Sequence, residues 1–229
     1  MRIQTSSYFQ PTTNHSALLL QHYQIKTVPL CFACICSAET PVRGKAAAYL
    51  TEQLLHWFRD LPWKKLIQNP EKSLPGIETK LKKVLENTLK ELISSNHYPS
   101  KTQLPLAGIF IIGEHFLLFR QGTPQIFLMN QNFGRGAIQC ISDNLDSSVN
   151  KHITFQQGLL QMDIGLLLAT DTFCFSADRQ ELKDCLYVKD VQTKGQANRH
   201  LQELGRHGEE RGSCHMAAVL IQTFPDEEI

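Results

Sequence analysis

The pattern of apolar and polar residues predicts two strands near the start of the chain. Residues 17–36 read ALLLQHYQIKTVPLCFACIC, which is two apolar runs around a polar turn. The second run, Leu30–Cys36, is mostly apolar, as is typical of a strand buried on both faces. No element is predicted before residue 17. Serine, threonine, proline and glycine then end the pattern in SAETPVRG (37–44).

Two segments with helical periodicity follow. Residues 46–58 (AAAYLTEQLLHWF) carry Ala47, Leu50 and Leu54 at helical spacing. A polar stretch over 64–76 leads to a second predicted helix over 77–95. One face of this helix is apolar, and its lysines fall on the other face, which we interpret as exposed to solvent. The apolar stripe consists of Ile77, Leu81, Val84, Leu85, Leu89 and Leu92.

The second half of the chain reads as strands, then helices, then a last strand. Residues 106–122 are two apolar runs around Gly113 and Glu114, a strong hairpin signal. Further strands are predicted at 125–130, 163–170 and 216–224, and helices at 177–187 and 196–208. This order predicts an α+β fold with antiparallel sheets rather than a parallel βαβ series. No segment reads as a linker, so one domain over 1–229 is expected.

Composition narrows the class of protein. The chain is 42% hydrophobic and 20% charged, which is ordinary for a globular protein, and its net charge of +1 does not suggest nucleic acid as a partner. No apolar run reaches the roughly 18 residues of a membrane span, so no membrane partner is expected. The first sixteen residues lack the apolar core of a secretory signal. The seven cysteines are therefore expected to be reduced thiols in the cytoplasm.

Five segments, in order, match the motifs of one known family. They are FACICSAETPVRGKAA (32–47), the hairpin 106–121, the turn 122–127, QQGLLQMDIGLLLATDTF (156–173) and GSCHMAAVLI (212–221). These segments resemble motifs of the metal-dependent Ser/Thr protein phosphatases. In chain order, those motifs are the Asp-Gly-x-Gly-Gly loop with its helix start, the central hairpin, the turn after it, the Leu-Leu-x-Thr-Asp-Gly stretch and the Asp-Asn motif. This is the PPM type, or type 2C class. The resemblance covers nearly the whole chain.

The resemblance implies both a fold and a site. The fold is a four-layer sandwich of two central antiparallel β-sheets flanked by pairs of helices. In the family, aspartates at strand ends hold two Mg²⁺ or Mn²⁺ ions, which bridge the water that attacks the phosphate. Only one of the corresponding positions in this chain keeps its carboxylate, and that residue is Asp171. The degenerate metal-site positions are Ser16, Cys36, Ser37, Asp171, Cys214 and His215.

The missing carboxylates predict a protein that resembles a phosphatase without its chemistry. One carboxylate cannot hold two divalent ions that otherwise prefer water. The sequence therefore predicts a catalytically impaired member, a pseudophosphatase, that needs no cofactor and has a binding or regulatory role. Its partner would be a protein, such as a phosphoprotein, a kinase or a protein that binds the region 131–155. The alternative is an active Ser/Thr phosphatase with a rearranged Mg²⁺ or Mn²⁺ site.

A site built on cysteine is a further hypothesis. Cys36, Cys214 and Asp171, together with His15 or His215, would offer soft ligands that suit Zn²⁺ better than Mg²⁺. The simpler interpretation is that small, semi-polar residues fill a collapsed pocket, because cysteine is among the most buried residue types. A nucleophilic pair of Cys214 and His215 is disfavoured, because neighbours on a strand point to opposite faces.

The C-x₂-C-x-C run of Cys31, Cys34 and Cys36 suggests a metal site at first sight. On a strand, Cys34 and Cys36 share a face that Cys31 does not. No second cysteine pair at zinc-ribbon spacing follows. Core packing is therefore the favoured interpretation.

Overall fold

Two antiparallel sheets of five strands each form the centre of the structure, which is a computed structural model. It describes residues 1–10, 15–94, 104–130, 138–141, 153–161, 164–178, 180–182 and 195–225. The strands are β1 (Arg2–Phe9), β2 (Ala17–Ile25), β3 (Val28–Cys36), β4 (Leu106–Ile112), β5 (His115–Gln121), β6 (Gln125–Asn130), β7 (Ile138–Cys140), β8 (Thr154–Leu159), β9 (Ile164–Ala169) and β10 (Ala217–Phe224). Sheet one has the order β1-β10-β9-β6-β7, and sheet two has the order β2-β3-β4-β5-β8. The main described helices are α1 (Pro41–Arg59), α2 (Trp63–Leu66), α3 (Pro70–Ser94), α4 (Asp171–Ser176) and α5 (Gln196–Glu210).

Helices cover the outer face of each sheet, while the inner faces pack together. A buried apolar cluster between the sheets joins Ile35 of sheet two to Leu168 of sheet one. Helices α1 and α3 cover sheet two through residues such as Leu54 and Leu81. Helices α4 and α5 cover sheet one through residues that include Phe173. This order of layers confirms the predicted four-layer α+β sandwich.

Strand β3 is buried on both faces, as its sequence predicts. Cys31 lies in the cluster between the sheets, whereas Cys34 and Cys36 lie in the cluster beneath α1 and α3. All three residues have no exposed surface. The predicted division between the two faces is confirmed, and the three thiols pack in two separate cores.

Both long helices begin earlier than the apolar periodicity predicts. Helix α1 begins at Pro41 and α3 at Pro70, well before the predicted starts at 46 and 77. The residue before each proline caps the helix by accepting a backbone N–H three residues on, at 3.4 Å for Thr40 and 3.2 Å for Asn69. Proline suits the first helical position because the N–H that it lacks would have no partner there. These prolines start the helices instead of interrupting them.

Strand β1 lies where no element is predicted. It pairs along its full length with β10, from Arg2 opposite Phe224 to Phe9 opposite Ala217. Only three of its eight side chains are buried, and one of these is Ser6. The main-chain ladder with β10 therefore holds this strand, and its apolar signal is weak.

Two further predictions fall partly outside the described residues. The predicted helix over 177–187 is helical at 180–182, and residues 183–187 lie outside the described part. Most of the region 131–155 also lies outside it.

A close contact between α5 and β1 depends on Gly205. A Cβ atom added at Gly205 would lie 2.2 Å from the ring of Tyr8, far inside van der Waals contact. The Tyr8 hydroxyl also donates to Oε1 of Glu209 on the same helix, at 2.5 Å. Burial, and then the Glu209 carboxylate, raise the pKa of Tyr8 well above its ordinary value. The helix thus packs on the tyrosine ring with no room for a side chain at residue 205.

The methyl group added by Gly205→Ala overpacks against Tyr8 at a cost of about 1–3 kcal/mol. The gain of about 1 kcal/mol in helix propensity offsets part of this cost, so we expect a net loss of stability of up to about 2 kcal/mol. The midpoint of thermal unfolding, followed by circular dichroism, should fall by several degrees. The matched control is Gly76→Ala in α3, where an added Cβ meets nothing within 4 Å, and it should raise the midpoint. Shifts of the same sign in both variants would contradict the close packing of α5.

Candidate functional site

The Ser16 hydroxyl joins three segments at one end of the sandwich. Its Oγ donates to the carbonyl oxygen of His215 at 3.2 Å and accepts the N–H of Ala38 at 3.1 Å. Ser16 is buried immediately before β2, whose first residue, Ala17, pairs with Cys36 at the end of β3. The start of β2, the loop after β3 and the turn before β10 therefore meet at this hydroxyl.

Two threonines connect the start of α4 to the same place. Thr172 Oγ1 donates to the carbonyl oxygen of His215 at 3.2 Å, so this acceptor takes two hydroxyl donors. Thr170 Oγ1 lies 3.2 Å from Thr172 Oγ1 and accepts the N–H of Ala217 at 3.1 Å. We call Ser16, Thr170, Thr172 and the His215 carbonyl the hydroxyl network. It joins the four segments to which the sequence comparison assigns the degenerate metal-site positions.

Gln10 holds the turn before β10 in place. Its Oε1 accepts the N–H of Met216 at 3.3 Å, and its Nε2 donates to the carbonyl of Ser213 at 3.3 Å. His215 within this turn has φ +61°, a left-handed conformation that costs a residue other than glycine roughly 1–2 kcal/mol. The side chain of Gln10 and the hydroxyl network together fix this conformation. Gln10 lies outside every predicted element and motif, so its role cannot be recognised from the sequence.

Two histidines pack against each other beside the network. The rings of His15 and His215 stack with centroids 5.2 Å apart and planes inclined by 26°. Nδ1 of His215 is buried and has no hydrogen-bond partner among the described residues. A Cβ added at Gly44 in α1 would lie 2.7 Å from the His15 carbonyl oxygen. The glycine that matches the family's helix start thus allows α1 to approach the site closely.

The structure brings the predicted site segments together, but it disperses their side chains. Cys36 is fully buried beneath the helices, whereas Cys214 is exposed. Ser37 is buried and its N–H donates to the Pro105 carbonyl at 2.8 Å. Asp171 lies half-buried in the first turn of α4. Whether these positions descend from metal ligands stays a prediction.

The side chains at this site are not suitable ligands for two hard divalent ions. Mg²⁺ and Mn²⁺ prefer anionic oxygen ligands, and the Ser16 hydroxyl already donates to a carbonyl oxygen. Across the described part of the chain, no group of three or more His, Cys, Asp and Glu side chains is placed to hold a metal ion. The chemistry of the residues present therefore argues against the family's two-metal centre.

The buried thiols are also unsuited to nucleophilic chemistry. Burial raises the pKa of Cys31 to about 12. A hydrogen bond with Cys36, and then burial, raise the pKa of Cys34 well above its ordinary value. Burial likewise raises the pKa of Cys174, with smaller contributions from Cys140 and Asp171. Since the thiolate is the reactive form, these groups are inert at neutral pH.

Cys214 and His215 do not lie on a strand, so the predicted alternation of their side chains between two faces is wrong. Strand β10 begins at Ala217, so both residues lie in the preceding turn and do not alternate between two faces. The lack of a hydrogen-bond partner for Nδ1 of His215 among the described residues excludes a bond from that atom to Cys214.

Comparison with known proteins identifies the fold. No family model matches the sequence, and no curated protein matches it. Among solved structures, the chain is similar to PppA, a key regulatory component of T6SS in Pseudomonas aeruginosa, with 15% identity, TM-score 0.67 and coverage of 98% of this chain and 99% of that one. It is also similar to the S. agalactiae serine/threonine phosphatase, with 10% identity, TM-score 0.69 and coverage of 97% and 100%.

A third similar structure is the Mycobacterium tuberculosis serine/threonine phosphatase PstP, with 11% identity, TM-score 0.60 and coverage of 98% of this chain and 99% of that one. A further structure of the PstP catalytic domain holds two manganese ions. The chain therefore has the fold of the PPM-type Ser/Thr protein phosphatases. None of its described helices has the length and apolar character needed to cross a membrane.

Ser16→Ala tests the hydroxyl network. Removing this hydroxyl leaves the buried N–H of Ala38 without this acceptor, so we expect a loss of about 1–3 kcal/mol and a fall of several degrees in the unfolding midpoint. Ser94→Ala is the matched control, because its exposed hydroxyl bonds to the Glu91 carbonyl at the end of α3. Surface changes of that kind stay within about 0.5 kcal/mol. Equal effects of the two substitutions would show that the Ser16 bonds carry no stability.

Cys36→Asp tests how far the surroundings of this position have become apolar. The substitution places a carboxylate where the side chain has no exposed surface. We expect a loss of more than about 4 kcal/mol or failure to fold, because a buried unpaired charge is among the most destabilising changes. Cys214→Asp is the control, since that residue is exposed, and it should leave the urea-unfolding midpoint nearly unchanged. A Cys36→Asp protein as stable as the parent would contradict the apolar surroundings.

Proposed function

We propose that this chain is a pseudophosphatase, a protein that keeps the PPM phosphatase fold without its catalysis and serves as a binding or regulatory module for a protein partner. The observation that carries the proposal is the hydroxyl network. Ser16 and Thr172 donate to one main-chain carbonyl at the place where the family's metal-binding segments converge. All the groups in this network are neutral.

A two-metal centre at this site would require anionic ligands to compensate the charges of the ions. Two divalent ions held close together repel each other, and several anionic ligands must offset that repulsion. Asp171 is the one carboxylate at the positions that the resemblance assigns to ligands. A neutral network satisfies its own hydrogen-bonding groups and needs no cation. We therefore infer that no Mg²⁺ or Mn²⁺ centre forms here.

Two observations support a regulatory role and a cytoplasmic location. PppA, which shares this fold, is described as a key regulatory component. No disulfide joins the six cysteines that the structure describes, which suits a reducing compartment. A phosphoprotein or a kinase remains the proposed class of partner.

The alternative is an active metal-dependent Ser/Thr phosphatase with a rearranged site. Two observations favour it. Asp171 is retained and half-exposed at the start of α4. The PstP catalytic domain, which has the same fold, binds two manganese ions.

A phosphatase assay separates the two functions. The purified chain should show no hydrolysis of p-nitrophenyl phosphate or of a phosphothreonine peptide above the no-enzyme rate, with or without millimolar Mn²⁺. The reason is that neither the metal-bound water nor the ligands that would hold the metal are provided. The same protein should unfold at the same temperature in EDTA and in Mn²⁺, because a ligand that binds only the native state would raise the midpoint.

Asp171→Ala is the control for this assay. Any background hydrolysis should be equal in the parent and in this variant, because Asp171 has no metal to hold. Hydrolysis that depends on Mn²⁺ and disappears in Asp171→Ala would refute the proposed function and establish the active phosphatase.

A further inference from the structure

An open pocket lined by aromatic rings lies at the far end of α1. We call it the aromatic slot, and it has a volume of about 310 Å³. Strands β2 and β3 form one side, and the end of α1 and the start of α2 form the other. Its lining residues are Tyr23, Gln24, Ile25, Leu30, Phe58, Arg59 and Trp63.

The rings of the slot are held in place by the core behind them. Tyr23 stacks on Phe58 with centroids 6.1 Å apart and planes 20° apart. Trp63 meets Phe58 edge-on at 4.7 Å and stacks on Phe110 at 5.9 Å with planes only 7° apart. Phe58 and Phe110 are fully buried, whereas Tyr23 is 45% exposed. The slot is therefore preformed, with one wall open to a partner.

The segments that form the slot carry mainly positive charge. The charged residues within two positions of its lining are four cations and one carboxylate, although the whole chain has a net charge of only +1. All five are exposed. None of the four cations makes an ion pair with any part of the chain that the structure describes. These residues are Lys26, Arg59, Lys64 and Lys65, with Asp60 as the single acid.

The slot and the candidate site lie at opposite ends of α1. The first turn of this helix approaches His15 through Gly44, and its last turn contributes Phe58 and Arg59 to the slot. Its 19 residues span roughly 28 Å at 1.5 Å per residue. Substitutions in the slot therefore leave the hydroxyl network untouched.

We infer that the aromatic slot is a docking site for an acidic segment of a protein partner, which inserts one aromatic side chain between Tyr23 and Trp63. The volume is at the lower end of the range for small-molecule sites, which suits a side chain better than a cofactor. Aromatic residues and arginine are the groups that dominate interface energetics. The unpaired cations supply the charge complementarity that selects an acidic segment. The inference rests on the proposed binding role and assigns that role a surface.

Trp63 provides a direct probe of the slot. The chain has two tryptophans, so Trp57→Phe leaves Trp63 as the sole tryptophan, whose fluorescence is excited selectively at wavelengths where the five tyrosines do not absorb. We expect a saturable change in its fluorescence on titration with an acetylated pentapeptide of one central phenylalanine and four glutamates. Replacing the phenylalanine by serine should weaken binding at least tenfold, and 0.5 M NaCl should weaken it at least threefold through screening.

Variants of the rim and wall locate the binding site. Tyr23→Ser and Arg59→Glu should each weaken peptide binding at least fivefold in the Trp57→Phe background. Tyr49→Ser is the matched control, because Tyr49 is also partly exposed but lies elsewhere on α1, and it should bind like the parent. Circular dichroism should show that each variant is folded.

Three results would overturn the inference: no saturable change, equal binding of a peptide with lysine in place of glutamate, or full binding by Tyr23→Ser and Arg59→Glu. None of these results affects the phosphatase assay, so the two proposals fail separately.

Discussion

The main-chain carbonyl of His215 is the acceptor on which the converging end of the sandwich depends. It takes hydroxyl hydrogen bonds from Ser16, before β2, and from Thr172, in α4, while Ser16 also binds the loop after β3. Each such bond contributes about 1 kcal/mol, but leaving a buried donor unpaired costs more, so the groups are constrained together. In a metalloenzyme, cations joined to carboxylates can connect strand ends in this way. Here neutral groups make the connection, and the fully buried Cys36 beside them needs no countercharge.

Most of the fold follows from patterns that are local in sequence. The apolar run of β3 and the hairpin of β4 and β5 are predicted correctly because burial on two faces leaves few polar positions. Proline is harder to interpret from sequence, because it can either begin or end a helix. After Thr40 and Asn69 it starts a helix, because these side chains cap the first turn. Strand β1 escapes prediction for a different reason, since its partner β10 lies more than 200 residues away and most of its side chains are not buried.

Only part of the candidate site can be predicted from the sequence. The segments that the motifs point to do lie together, because strand register brings them to one end of the sandwich, as the pairing of Ala17 with Cys36 illustrates. It cannot predict what the substituted side chains do. Ser16 bridges three segments, Cys36 packs in the core and Cys214 is exposed, and each of these placements depends on neighbours that are distant in sequence. Gln10 carries no signal at all, because its role is to bind main-chain atoms of a turn some 200 residues later.

The two ends of α1 differ in how many of their polar and aromatic groups are available to a binding partner. At the first end, Gly44 allows close approach to His15, and the Ser16 hydroxyl is occupied by main-chain groups. Groups that are already paired offer little to a ligand, because binding would first have to break those bonds. At the other end, Tyr23 remains half-exposed beside exposed cations, so a partner gains contacts there without disrupting the fold. A scaffold whose candidate site is occupied by its own hydrogen bonds offers partners the surfaces that those bonds do not reach.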